Sequence, residues 1–272
     1  MTSIEKFIDN RLIYGRAYFS REEARAALDM NPYTLTVGFT RLIKKQRLAN
    51  PRHGFFLILR PEDTVSGAPD PVRWIDPLMR HQALDYRISL LTVAAFHGSS
   101  HQAAMVFQII VPKQQRDLVL GRHRIEFVYQ APETFARLNQ PDWLVQIKSE
   151  AGFAQAAGIE LTLLDCARYL RKTTGIQGVA QIAKDLGSHA QPRKLAKAAA
   201  LYENSTVRRL GYLLELSGHV RQAKVLAPFA HHAKSSVPLD PSVTPLLVAT
   251  IASYEKNTKW KLLINESVEI DF

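Results

Sequence analysis

Apolar positions recur at helical spacing from the start of the chain. Ile4, Phe7, Ile8 and Leu12 lie on one stripe and predict a helix over residues 3–13. Ser20 and Glu23 stand at the Ser-x-x-Glu spacing of a capping box, and Ala24, Ala27 and Leu28 give a short second helix over residues 19–28 a small apolar face. Asp29, Met30 and Asn31 read as a tight connection. Asn31 before Pro32 pairs a good N-cap with a residue whose fixed φ suits a first turn, so a third helix is expected over residues 32–46. Asn50, Pro51 and Gly54 then mark a turn between a short strand at 47–49 and a β-prone run at 55–59. Its tip is basic: Pro51-Arg52-His53-Gly54.

Residues 60–72 (RPEDTVSGAPDPV) have three prolines, a glycine and no periodicity, the pattern of a connecting segment. Beyond it the pattern mixes. Residues 87–97 read as a helix, and 105–111 as a near-continuous apolar run stopped by Pro112, a buried strand. Residues 117–120 and 124–129 flank Gly121-Arg122-His123 as a hairpin, and Trp143, Val145 and Ile147 alternate as a further strand. Helical patterns then dominate at about 161–172, 177–187, 192–202, 204–217 and 219–232, with a strand-like return near 260–264. The expectation is an α+β protein. Residues 1–60 would form a winged helix-turn-helix and 61–72 a linker. Residues 73–272 would form a mixed α/β domain with a helical C-terminal part.

Charge sharpens this picture. The net charge is +10, and residues 1–60 carry 11 Lys or Arg against 5 Asp or Glu, more than half of the excess. Such a concentration points to a polyanionic partner. On a wheel of the third helix, Leu35, Phe39, Leu42, Ile43 and Gln46 fall on one side, expected to pack inward. Thr34, Val37, Gly38, Arg41, Lys44 and Lys45 fall on the other, small or hydroxylated early and basic late. That profile suits a helix laid in the major groove of double-stranded DNA, with Tyr33, Thr34 and Val37 nearest the base edges. Arg41 would contact guanine or a phosphate, and Lys44, Lys45 and Arg47 would neutralise phosphates. Arg52 and His53 at the hairpin tip would reach the flanking backbone. Ser20 and Arg21 would anchor a phosphate at the start of the second helix.

Other chemistry is sparse. One cysteine, Cys166, sits in the apolar run LTLLDCARYL and reads as core packing. No disulfide can form within the chain, no leader pattern is visible and no run reaches the ~20 apolar residues of a membrane helix, so the cytoplasm is the expected compartment and no membrane partner is expected. Phe96-His97-Gly98-Ser99 resembles the Gly-Ser turn of nucleotidyltransferases, which makes the second domain nucleotidyltransferase-like. The strand after it carries no carboxylate, and Asp117 and Glu126 stand nine residues apart, so a Mg²⁺ pair has no ligands and no catalysis is expected. His97 with His101, and His231 with His232, lack the further ligands of a metal site, and no cofactor motif is present. Basic residues on the late helices, Arg168, Arg171, Lys172, Arg193, Lys194, Lys197, Arg208, Arg209, Arg221 and Lys224, read as solvated faces or as a second positive surface.

The runs YRISLLTVAAFHGSSHQ, VFQIIVPK, RHRIEFVY, LTLLDCARYL and VRRLGYLLEL, in that order, resemble the AbiEi family of antitoxins from type IV toxin–antitoxin systems. The resemblance spans nearly the whole chain. It implies a repressor that binds inverted repeats in its own promoter, and a C-terminal domain that counteracts a nucleotidyltransferase toxin. From the residues alone two other readings stay open: a winged-helix regulator of other genes whose C-terminal domain senses a ligand or protein partner, and a protein-binding module.

Overall fold

The computed structural model describes residues 3–99, 106–149, 152–243 and 254–270. The chain forms two compact units. The first is Met1–Ile88 with Met105–Pro132 and Gln146–Ala156, and the second is Ser89–Ala104 with Glu133–Val145 and Ala157–Phe272.

The first unit begins with α1 (Ile4–Ile13), β1 (Tyr18–Ser20), α2 (Arg21–Ala27), α3 (Pro32–Lys44), β2 (Leu48–Arg52) and β3 (Phe55–Ile58). Local chemistry sets the starts. The Ser3 hydroxyl accepts from the Lys6 amide, the Ser20–Glu23 capping box is complete, and the Asn31 side chain accepts from the Tyr33 amide with Pro32 in the first turn. β1 escaped the sequence reading because three residues are too few to show a period. It pairs antiparallel with β3, which pairs antiparallel with β2, in the order β1-β3-β2. An aromatic cluster closes the core: Phe19 lies 5.3 Å from Phe7 and from Phe56, and Phe39 lies 4.7 Å from Phe56. Ile8, Leu28, Leu35, Leu42 and Leu48 pack around it. Burying these side chains at roughly 1.5–3 kcal/mol each is what holds so small an assembly together.

Residues 61–72, read as a linker, are ordered and lie within the first unit. They form two short 3₁₀ turns, Pro61–Asp63 and Pro71–Arg73. The Ser66 carbonyl accepts from the Arg122 amide at 2.7 Å, and the Ala68 carbonyl faces His123 Nε2 at 3.0 Å. After α4 (Ile75–His81), Arg87 and Ile88 form β4 and only Leu90–Phe96 is helical (α5), so the helix expected from residue 87 starts later. Then come β5 (Phe107–Val111), β6 (Leu118–Leu120), β7 (His123–Tyr129), α6 (Pro132–Leu138), β8 (Leu144–Ser149) and β9 (Gly152–Ala157). Met105, expected to open the apolar strand, lies outside the described residues. The sheet order is β6-β7-β5-β4-β9-β8. β5 runs parallel to β7, while β6 and β7 form the expected antiparallel hairpin.

The second unit is mostly helical: α7 (Ile159–Arg168), α8 (Gly175–Gly187), α9 (Pro192–Ala199), α10 (Asn204–Leu216) and α11 (Val220–His231). A small sheet follows, with β10 (Val237–Pro238), β11 (Glu255–Asn257) and β12 (Leu262–Ile264) in the order β10-β12-β11. α7 is its buried axis: Leu161, Leu163, Leu164, Cys166 and Ala167 are all fully covered. Buried Asp165 is satisfied by the Ser89 hydroxyl at 2.8 Å and the Tyr202 hydroxyl at 2.7 Å. Among the described residues, no helix is long and apolar enough to cross a membrane.

Candidate nucleic-acid interface

α3 separates its faces as its sequence demands. Leu35, Phe39 and Leu42 are buried, whereas Tyr33, Thr34, Val37, Arg41, Lys44 and Lys45 are exposed. Tyr33 is 77% exposed. Two inward assignments fail. Ile43 is 38% exposed, and Gln46, past the last helical turn, adopts φ 54° and leaves the wheel altogether. Gly38 serves packing more than groove entry. A Cβ there would lie 2.3 Å from Ile4 Cδ1, so the glycine admits the α1 side chain against α3.

At 100° per residue, Tyr33, Val37, Thr40 and Lys44 share an arc of roughly 60° opposite the buried face. Thr40 is exposed and belongs to that face, and the sequence reading missed it. The i, i+4, i+7, i+11 spacing was the available signal. The side chains of Arg41, Lys44 and Lys45 have no ion-pair or hydrogen-bond partner among the described residues. Three adjacent cations left unneutralised on one exposed helix make a positive ridge.

Most of the other expected contact groups have partners within the protein. At the start of α2, the Ser20 amide donates to Glu23 Oε2 at 2.8 Å, the Glu23 amide to Ser20 Oγ at 3.1 Å, and the Arg21 amide to the Gly54 carbonyl at 2.7 Å. Glu22 and Glu23 lie in the same first turn, beside the helix start where Ser20 and Arg21 were expected to hold a phosphate. The Arg21 guanidinium donates to Thr36 Oγ1 at 2.9 Å and lies over the Phe39 and Phe56 rings, bracing α2 against α3. Arg47 pairs with Asp9 at 3.0 Å. Arg52 donates to the Arg116 carbonyl and sits 5.4 Å from the Phe127 ring centre, and burial pulls its pKa down. The His53 side chain is exposed, but its carbonyl meets His81 Nε2 at 3.2 Å. The hairpin tip is thus docked on its own unit rather than projecting.

Residues 87–216 match the family described as the AbiEi antitoxin C-terminal domain. This part of the chain is similar to AbiEi antitoxin C-terminal domains. The fold as a whole is similar to the crystal structure of the RV2827C protein from Mycobacterium tuberculosis, with a TM-score of 0.64 at 15% identity over 95% of this chain and 90% of that one. No curated protein matches the chain.

The matched segment runs from β4 to the end of α10, so the α3 face lies outside it. Its polar side chains are largely committed to structure. His97 Nε2 lies 2.8 Å from the Ala157 carbonyl, and Ser99 donates to Asp185 Oδ2 at 2.6 Å. His101 falls outside the described residues. Burial pushes the Cys166 thiol well up, as a core residue requires. The late basic residues do not form one solvated face. Arg208 and Arg209 are buried and donate to the carbonyls of Ser235, Lys261 and Pro238, tying α10 to the C-terminal sheet. Arg168 pairs with Glu203 and Lys194 with Glu160. Among the described residues, no three His, Cys, Asp or Glu converge as a metal would need.

Proposed function

We propose that the chain is a DNA-binding repressor of its own promoter. Residues 1–60 are its winged helix-turn-helix, 61–72 connect, and 73–272 carry the antitoxin function. The element order α1-β1-α2-α3-β2-β3, with the sheet order β1-β3-β2, supports the winged helix. The observation that carries the reading is the free face of α3: Tyr33, Thr34, Val37 and Thr40 exposed, followed by Arg41, Lys44 and Lys45 without partners. A helix about 10–12 Å across with small and hydroxylated residues leading enters a major groove about 12 Å wide, and its trailing cations reach phosphates. The operator is a pair of inverted repeats. The AbiEi domain counteracts a nucleotidyltransferase toxin encoded with it.

A mobility-shift titration on the chain's own upstream DNA tests this. The wild type retards that fragment in preference to a scrambled one, and the combined Arg41→Ala, Lys44→Ala, Lys45→Ala variant does not. Undiminished affinity in the triple variant rules the docking out. Co-expression of the full chain with a neighbouring nucleotidyltransferase gene tests the second role: growth is rescued, and persists in the triple variant because neutralisation resides in the AbiEi domain.

A further inference from the structure

The docked hairpin tip closes one side of a cavity of about 470 Å³ within the first unit. Arg52 and His53 come from the hairpin, His81 and Gln82 from the end of α4, and Lys113 and Gln115 from the loop between β5 and β6. Three separate stretches of chain therefore bring two fixed cations, two imidazoles and two amides around one concavity, and the described lining includes no carboxylate. Asp117, whose charge Arg52 feels, is engaged elsewhere: it accepts from Arg124 Nη2 at 3.4 Å and from the Phe127 amide at 3.3 Å.

Two features show unspent capacity. The exposed Lys113 ammonium has no partner among the described residues. The Gln82 Oε1 atom is buried with no hydrogen-bond partner, and a half-turn of that amide puts an N–H in its place. Arg52 is held in place by the Arg116 carbonyl and the Phe127 ring, so little conformational entropy remains to be lost when it meets an anion. Its half-buried charge has a neutral carbonyl as hydrogen-bond partner, and an anion beside it offsets the desolvation.

We propose that this cavity binds the phosphates of a free nucleotide. Its volume falls in the range of roughly 300–1,000 Å³ typical of small-molecule sites. Planar guanidinium and point-charge ammonium groups converging with amide donors are the usual recognition set for phosphate oxygens. The concavity, with Arg52 tied back into its wall, suits a compact anion rather than the length of a duplex. The site is built from side chains gathered by the fold, which is why no glycine-rich phosphate loop announces it in the sequence. The inference does not depend on whether α3 reads DNA.

Calorimetric titration of the full chain with ATP, ADP and inorganic phosphate tests it. ATP binds saturably to the wild type. Lys113→Glu weakens it by about tenfold or more, the loss of one charge-assisted contact, while Lys256→Glu on exposed β11 leaves it unchanged. Arg52→Gln weakens it as well, with a thermal melt confirming that the variant is folded. Absence of saturable binding of all three compounds at millimolar concentration overturns the proposal. So does wild-type affinity in Lys113→Glu, or a loss confined to duplex DNA, which transfers the site to the nucleic-acid backbone. The α3 triple variant keeps wild-type ATP affinity, so a failure of the DNA reading is told apart from a failure of this one.

Discussion

The Arg47 guanidinium lies 3.0 Å from the Asp9 carboxylate, across 38 residues of sequence. A cation that a carboxylate already neutralises adds little to phosphate binding, so Arg47 and its neighbours Lys44 and Lys45 are not equivalent. Arg47→Ala is expected to weaken DNA binding less than Lys44→Ala does. Asp9→Asn is expected to strengthen it and to steepen the slope of log affinity on log salt by about 0.9, one more phosphate contact. Because the pair is exposed, neither change should alter stability by more than about 1 kcal/mol. Anisotropy titrations at several salt concentrations decide it: an Arg47→Ala loss equal to that of Lys44→Ala means the ion pair opens on DNA.

Arg41 and the two lysines differ in kind. A guanidinium can grip a guanine edge with two parallel bonds, whereas an ammonium is a point charge. Arg41→Ala should cost about 1–3 kcal/mol on the operator and relax preference at one base pair. Lys44→Ala should weaken operator and scrambled DNA alike and flatten the salt slope by about one unit. Binding to a library of operator variants separates these outcomes, and equal losses on all sequences for Arg41→Ala would make it a phosphate contact.

What the sequence revealed and what it concealed follow from the range of each interaction. The capping box of Ser20 and Glu23, the Asn31-Pro32 start of α3 and the β6–β7 hairpin were legible because their partners lie within a few residues. The apolar period of α3 located Leu35, Phe39 and Leu42 in the core. The fate of Arg52 was not legible, since its partners Arg116 and Phe127 arrive from another part of the first unit. Nor was that of Arg208 and Arg209, basic residues on an amphipathic helix that look solvent-facing until the C-terminal sheet supplies carbonyls for them. Residues 61–72 looked like a linker because three prolines and a glycine erase periodicity, yet a strap without period still packs. Its tight approach to Gly121 is a tertiary fact.

That approach makes a sharp stability prediction. Gly121 has φ +57°, and a Cβ there would lie 2.0 Å from the Ser66 carbonyl oxygen and 2.7 Å from Gly67 Cα. Both are backbone atoms, so no rotamer change relieves the overlap. The left-handed conformation adds its own cost for a residue with a Cβ. Gly121→Ala is therefore expected to destabilise the protein by about 2–4 kcal/mol, overpacking and backbone strain together. Gly98→Ala is the comparison: it shares a positive φ, +101°, but its Cβ meets nothing within 4 Å. Urea unfolding of the two variants should show the larger loss at Gly121, and equal losses would mean that the strap shifts away without cost.

The acid limb of stability should carry the signature of Glu215. Burial pushes its carboxyl up, but the hydrogen bonds from Lys259 and from Trp260 Nε1, the latter 2.6 Å, together with the Lys259 charge, outweigh that and hold the pKa below the ordinary value of 4.5. A carboxyl depressed in the folded state favours folding above its unfolded pKa, and that contribution fades as pH falls through the folded value. Glu215→Gln removes the charge while keeping an acceptor near the Trp260 indole. At pH 7 the variant is expected to be less stable than the wild type by roughly 1 kcal/mol, the scale of a partly exposed charge-assisted bond. As pH falls below 4.5 the two should converge, because protonated Glu215 and glutamine are then electrostatically alike. Chemical denaturation followed by circular dichroism at pH 7, 5 and 3 measures the gap. A difference that persists undiminished at pH 3 assigns the effect to packing around Trp260 instead of to charge.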